Sequence, residues 1–182
     1  MLSQNRLPSW PLLAMVACGN LLTIRIEQEG SGTVPGAGIL GTLFDTLDLG
    51  GFDDLDVSIE QELANQGVSK GDLSEVRLAQ LTLSTPDNDD LSFMSSIEVF
   101  IESPDVARVR IAHLEDFPEG IASLDLELDD VDIQDYVVAD SLTISTEASG
   151  TAPENDTTID AFLALDVTAT AQGACNAAGR EE

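Results

Sequence analysis

The chain has one histidine, His113, and it is followed by Leu114, Glu115 and Asp116, so a base and two carboxylates lie within four residues. A serine hydrolase needs its histidine oriented by a carboxylate and aimed at a hydroxyl. No Gly-x-Ser-x-Gly elbow accompanies His113, which reads more simply as the end of a strand. Carboxylate pairs for glycoside hydrolysis could be drawn almost anywhere among 34 Asp and Glu, and that freedom makes any one pair uninformative. P-loop, dinucleotide and zinc-helix motifs are missing as well. The residues therefore predict no catalysis. The alternative is an unrecognised hydrolase, which would need a concave pocket with converging polar groups.

Hard cations are the other chemistry that so many acids could serve, since calcium wants several oxygen ligands from one or two loops. Three runs qualify: Asp53, Asp54 and Asp56; Asp87, Asn88, Asp89 and Asp90; and Asp129, Asp130, Asp132 and Asp135. In the second run Asp87, Asp89 and Glu98 fit the first, third and last positions of an EF-hand loop. Leu91 takes a ligand position, however, and Ser92 stands where glycine is required. A solvated turn is the simpler reading. Calcium is the one cofactor left open, with Asp87, Asp89, Asp90, Asp129, Asp130 and Asp132 as candidate ligands.

The first 20 residues contain one basic residue, Arg6, no acid, and an apolar stretch from Trp10 to Ala17 that ends in small residues before Cys18. That order is a secretory signal, and its apolar run is too short to span a bilayer, which takes ~20 residues. Met15-Val16-Ala17-Cys18 resembles the lipobox of bacterial lipoproteins. The resemblance implies a signal peptide over 1–17, diacylation of Cys18 as the mature N-terminus, and a short tether over 18–21. Gly19 after the cysteine implies the outer membrane. The competing reading pairs Cys18 with Cys175, the second cysteine, as exported proteins often do. Acylation and pairing exclude each other, and the sequence leaves both open. A zinc site is disfavoured because Cys18, Cys175 and His113 are not clustered.

The elements that must position these groups are mostly strands. Leu22, Ile24 and Ile26 alternate with polar residues in a first strand, which the run GSGTVPGAG is expected to break. Ile39, Leu40, Leu43, Phe44 and Leu47 fit one face of a helix. Ser58 and Gln61 form a capping box for a short helix, with Gly67 at its C-cap. In EVRLAQLTLS the apolar phase changes near Ala79, as a β-bulge would cause. Ile97, Val99 and Ile101, the turn Ser103-Pro104-Asp105, then Val109 and Ile111 describe a hairpin. Leu124, Leu126 and Leu128 alternate with acids in what reads as one strand. VDIQDYVV holds a helical turn, Leu142 and Ile144 alternate, and Thr157 to Thr170 is a long last strand. The sum is a mainly β fold, an antiparallel β-sandwich or jelly-roll-like barrel of seven or eight strands with two or three short helices. It should occupy 22–172, with a flexible tail over 173–182. Arg25, Arg108 and Arg110 sit between apolar strand residues, so their stems should cover the sheet while their guanidinium groups meet carboxylates.

A net charge of -27 repels phosphate, which disfavours nucleic acid and anionic lipid surfaces and leaves cations, cationic peptides and salty surroundings. The segments IEQELANQGVSKGDL, SFMSSIEVFIES and LELDDVDIQDYVV resemble uncharacterised β-rich envelope lipoproteins of Gram-negative bacteria, a resemblance that implies no activity. Together these features predict a binding or structural module of the cell envelope. It would be held to the membrane through Cys18 and face an envelope protein or polysaccharide. A secreted, calcium-stabilised adhesion or matrix domain is the alternative.

Overall fold

A computed structural model of the chain describes residues 22–36, 43–44, 55–86 and 90–178. Within them nine strands run in chain order: β1 (Thr23–Val34), β2 (Leu43–Phe44), β3 (Leu73–Ser84), β4 (Met94–Ser103), β5 (Val106–Glu115), β6 (Ser123–Asp125), β7 (Glu127–Leu128), β8 (Thr143–Thr151) and β9 (Thr157–Ala169). Three helices accompany them: α1 (Leu55–Asn65), α2 (Gln134–Val138) and α3 (Ala171–Ala178).

The pairing is that of one long antiparallel ribbon. Its early strands meet its late ones in reverse order: β1 with β9, β2 with β8, β3 with β6, and β4 with β5 at the closed tip. Folding the ribbon over itself sets β9 beside β3 and β8 beside β4. The results are a four-stranded sheet in the order β1-β9-β3-β6 and a five-stranded sheet in the order β2-β8-β4-β5-β7. This is a jelly roll, with β7 as an addition outside β5. Alternation along the strands sends Ile26, Leu81, Leu163 and Leu165 from one sheet, and Ile97, Val99 and Ile101 from the other, into one core.

Several expected elements are realised where the residues place them. The β3 register slips between Leu78 and Gln80, so Ala79 is the extra residue of a bulge. Leu78 and Leu81, three apart, are consequently both buried. The β4–β5 hairpin turns at Pro104 and Asp105, between the paired Ser103 and Val106. Gly67, at φ 71°, closes α1: its N–H donates to Ala64 and the Val68 N–H donates to Leu63, the paired bonds of a Schellman motif.

Other expectations are corrected. β1 runs on through Gly30-Ser31-Gly32 to Val34, because β9 opposes it residue for residue and supplies the hydrogen bonds that offset glycine's weak strand preference. Leu43 and Phe44 pair with β8 instead of lying on a helix; the rest of that segment is outside the described residues. Helix α1 starts at Leu55, so Ser58 lies in its first turn and is not its cap. The Leu124–Leu128 run is not one strand. It crosses between sheets, with β6 on β3 and β7 on β5, and buries Leu126 at the crossing. Period-2 alternation reports which side chains are apolar, not which sheet the backbone joins. The whole is nonetheless the expected mainly β fold, an antiparallel sandwich with a few short helices. The expected tail begins as α3, whose buried Gly173 packs so closely on Asp72 that a Cβ there would lie 2.7 Å from the Asp72 Cβ.

Leu163 is fully buried on an inner strand of its sheet. Leu163→Ala should cost about 2–5 kcal/mol, from lost burial plus the cavity left behind. The variant should lower the urea midpoint without changing the slope.

Candidate functional site

Among the described residues, a dense grouping of charged side chains lies on the outer face of the five-stranded sheet. Register alone aligns Glu147 on β8, Glu98 on β4, His113 on β5 and Glu127 on β7 in one row across four strands. Asp129, just past β7, joins them through its backbone N–H bond to Ile111.

A bulge makes the cluster. Val99 faces Ala112 while Phe100 faces Arg110, so Ile111 is the surplus residue of β5. Residues three apart on a regular strand point to opposite faces. With the extra residue inserted, Arg110 and His113 share the outer face while Ile111 and Ala112 are both buried.

Arg110 spans two carboxylates, with Nη1 donating to Glu98 at 2.7 Å and Nε donating to Asp129 at 2.8 Å. Its hydrogen bond, opposed by partial desolvation and reinforced by the charges of Arg110 and His113, holds the Asp129 carboxyl below the usual carboxylate range. Arg108 lies 3.7 Å above the Phe100 ring and donates to Glu147 at 2.6 Å. The His113 ring stands between two carboxylates, with Nε2 3.6 Å from Glu127 and Nδ1 3.6 Å from Asp129. Both distances exceed a hydrogen bond, and Nδ1 is buried with no hydrogen-bond partner.

The arrangement is suited to holding strands rather than to acid–base turnover. A general acid needs a raised carboxyl pKa, whereas Asp129 is kept ionised. The neighbours of His113 are the carboxylates of Glu127 and Asp129, each at 3.6 Å.

The candidate calcium ligands do not converge among the described residues. Asp129 serves Arg110, and Asp130 pairs with Arg77. Asp132 accepts from the Val76 and Gln134 N–H groups at 3.0 Å each. Asp90 accepts from the N–H groups of Ser92 at 2.8 Å and Gly120 at 2.9 Å, and these bonds hold its carboxyl below the usual range. Asp87, Asn88 and Asp89, with Asp53 and Asp54, lie outside the described residues. Arg25 pairs loosely with Glu27 and Asp166, completing the expected use of the strand arginines. Cys175, on α3, is disulfide-bonded; the chain's other cysteine, Cys18, lies outside the described residues.

Glu127 and Glu147 were not singled out in the sequence, and Glu98 only as the last position of the EF-hand-like run. Strand alternation marks each as outward-facing, but register, which one chain's pattern does not encode, brings them together. No family model matches the chain, and no curated protein matches its sequence. Among solved structures it is similar to the decameric BFDV capsid protein, at 10% identity over 82% of this chain and 99% of that one, with a TM-score of 0.37. That likeness is too slight to bear on function.

A carboxyl whose pKa is lowered in the folded state favours folding above the ordinary carboxylate range. That advantage disappears as the pH falls through the lowered value. Asp129→Asn should therefore lower the urea midpoint at pH 7, and the gap to the parent protein should close as the pH drops below ~4. A gap of constant size would show that the Asp129 charge is not what matters.

Proposed function

We propose that the chain works outside the cytoplasm as a binding or structural module, through surface recognition and without a catalytic step. The observation that carries this is the disulfide at Cys175, since such bonds persist in oxidising compartments and are rare in the cytosol. The secretory pattern of residues 1–17 supports the same compartment. Two sheets with polar outer faces around one apolar core make a rigid support for loops and surface groups.

Attachment follows from the fate of Cys18. The lipobox resemblance favours a diacylated Cys18 and a tether to the outer membrane. The disulfide favours the second reading, a secreted and untethered domain, because Cys18 is the one other cysteine of the chain and a paired thiol cannot also be acylated. We favour this second reading, without calcium as its stabiliser, since the described acids of the candidate clusters are spent on arginines and backbone N–H groups.

Intact mass of the protein from its own host tests these readings. A chain short of its leader and lighter than the reduced form by the hydrogens of one disulfide is the expected result. A chain beginning at Cys18 and heavier by acyl groups would restore the tether. A reduced chain that keeps its leader would overturn the extracytoplasmic reading altogether.

A further inference from the structure

Two aromatic side chains, Phe100 and Phe162, stand on the outer faces of the two sheets, apart from the aromatic residues packed against the core. Their surroundings differ in one respect. Phe100 is roofed by the Arg108 guanidinium, itself bonded to a carboxylate, Glu147. Phe162 shares its cleft with two carboxylates, Glu29 and Asp160, and has no cation over its ring among the described residues.

Phe162 lies on β9, the strand between β1 and β3. Glu29 is directly opposite it on β1, and Asp160 is two residues away on its own strand, flanked by Ser31 and Ser84. These five residues line an open cleft of about 530 Å³. Glu29 and Asp160 form no ion pair with any described residue. The described cations are all committed elsewhere: Arg25 to Glu27 and Asp166, Lys70 to Glu60, Arg77 to Glu75 and Asp130, Arg108 to Glu147, and Arg110 to Glu98 and Asp129.

We propose that this cleft is a receptor for an arginine side chain of a cationic partner polypeptide, a site that deepens the reading of the chain as a binding module. The ring face attracts a cation, and the two carboxylates neutralise it. The hydroxyls of Ser31 and Ser84 can accept from its remaining N–H groups. Arginine fits better than lysine because a planar guanidinium stacks on a ring while its fork reaches two acceptors. Arg108 between Phe100 and Glu147 is the same recognition satisfied within the chain. A net charge of -27 would draw a cationic partner and repel nucleic acid.

The test is a titration of the whole chain with blocked tri-arginine and tri-lysine peptides in ~0.1 M salt, where exposed charges are well screened, followed at backbone amides by NMR. Saturable shifts centred on Glu29–Ser31 and Asp160–Phe162 are expected, with tri-arginine binding more tightly. Phe162→Leu keeps the net charge and apolar bulk but removes the ring, and should weaken tri-arginine by about three- to tenfold. Glu29→Gln with Asp160→Asn should weaken it further than Glu115→Gln with Asp105→Asn, which removes two charges elsewhere. Shifts spread over the whole acidic surface, or an affinity unchanged in Phe162→Leu with native amide dispersion, would overturn the proposal by reducing it to general charge attraction. Absence of saturation at millimolar peptide would overturn it too. None of these outcomes depends on export or on Cys18, so failure here leaves the extracytoplasmic reading to its own test.

Discussion

The pairing of β9 with both β1 and β3 is the constraint on which the rest of the molecule depends. β9 opposes β1 from Thr23–Thr168 to Val34–Thr157, joining the beginning of the described chain to its end. On its other side it carries β3 across two register shifts. Until that closure forms, the ribbon has no second sheet to bury its apolar faces against, so the core is assembled almost entirely from contacts distant in sequence. Such topologies fold slowly compared with helical ones, because loop entropy is lost before the contacts repay it.

Bulges convert that regular frame into particular surfaces. The surplus residue at Ala79 lets β3 keep an apolar face through a change of phase, and the one at Ile111 puts Arg110 and His113 on one side of β5. The second has the larger consequence, because it gathers two arginines, a histidine and four carboxylates on the outer face of one sheet. Pairs this exposed are screened by solvent and contribute little to stability, so their role lies more in register and surface pattern. β7, held by two residue pairs, is the element such side-chain bonds secure most directly.

Charge sets the character of both outer faces. The described arginines and lysine are each matched to carboxylates, and the surplus of acid remains, a surface whose self-repulsion salt would screen. The two outward phenylalanines sit differently in this field, one capped by an internal guanidinium and the other beside carboxylates that lack one. A protein with so few cations makes its own use of them visible.

The sequence by itself determined the local properties: which residues alternate, where the bulge at Ala79 and the turn at Pro104-Asp105 fall, that Gly67 ends a helix, and that the surface is acidic. Each is written in neighbouring residues, because hydrophobic period, turn chemistry and charge are local quantities. Tertiary structure alone decided the strand order, the passage of Leu124–Leu128 from one sheet to the other, the survival of β1 through its glycines, and the row of Glu147, Glu98, His113 and Glu127. The physical reason is common to all of these. Backbone hydrogen bonds are satisfied by whichever strand comes alongside, so register belongs to the pair, and alternation in one strand cannot name its neighbour.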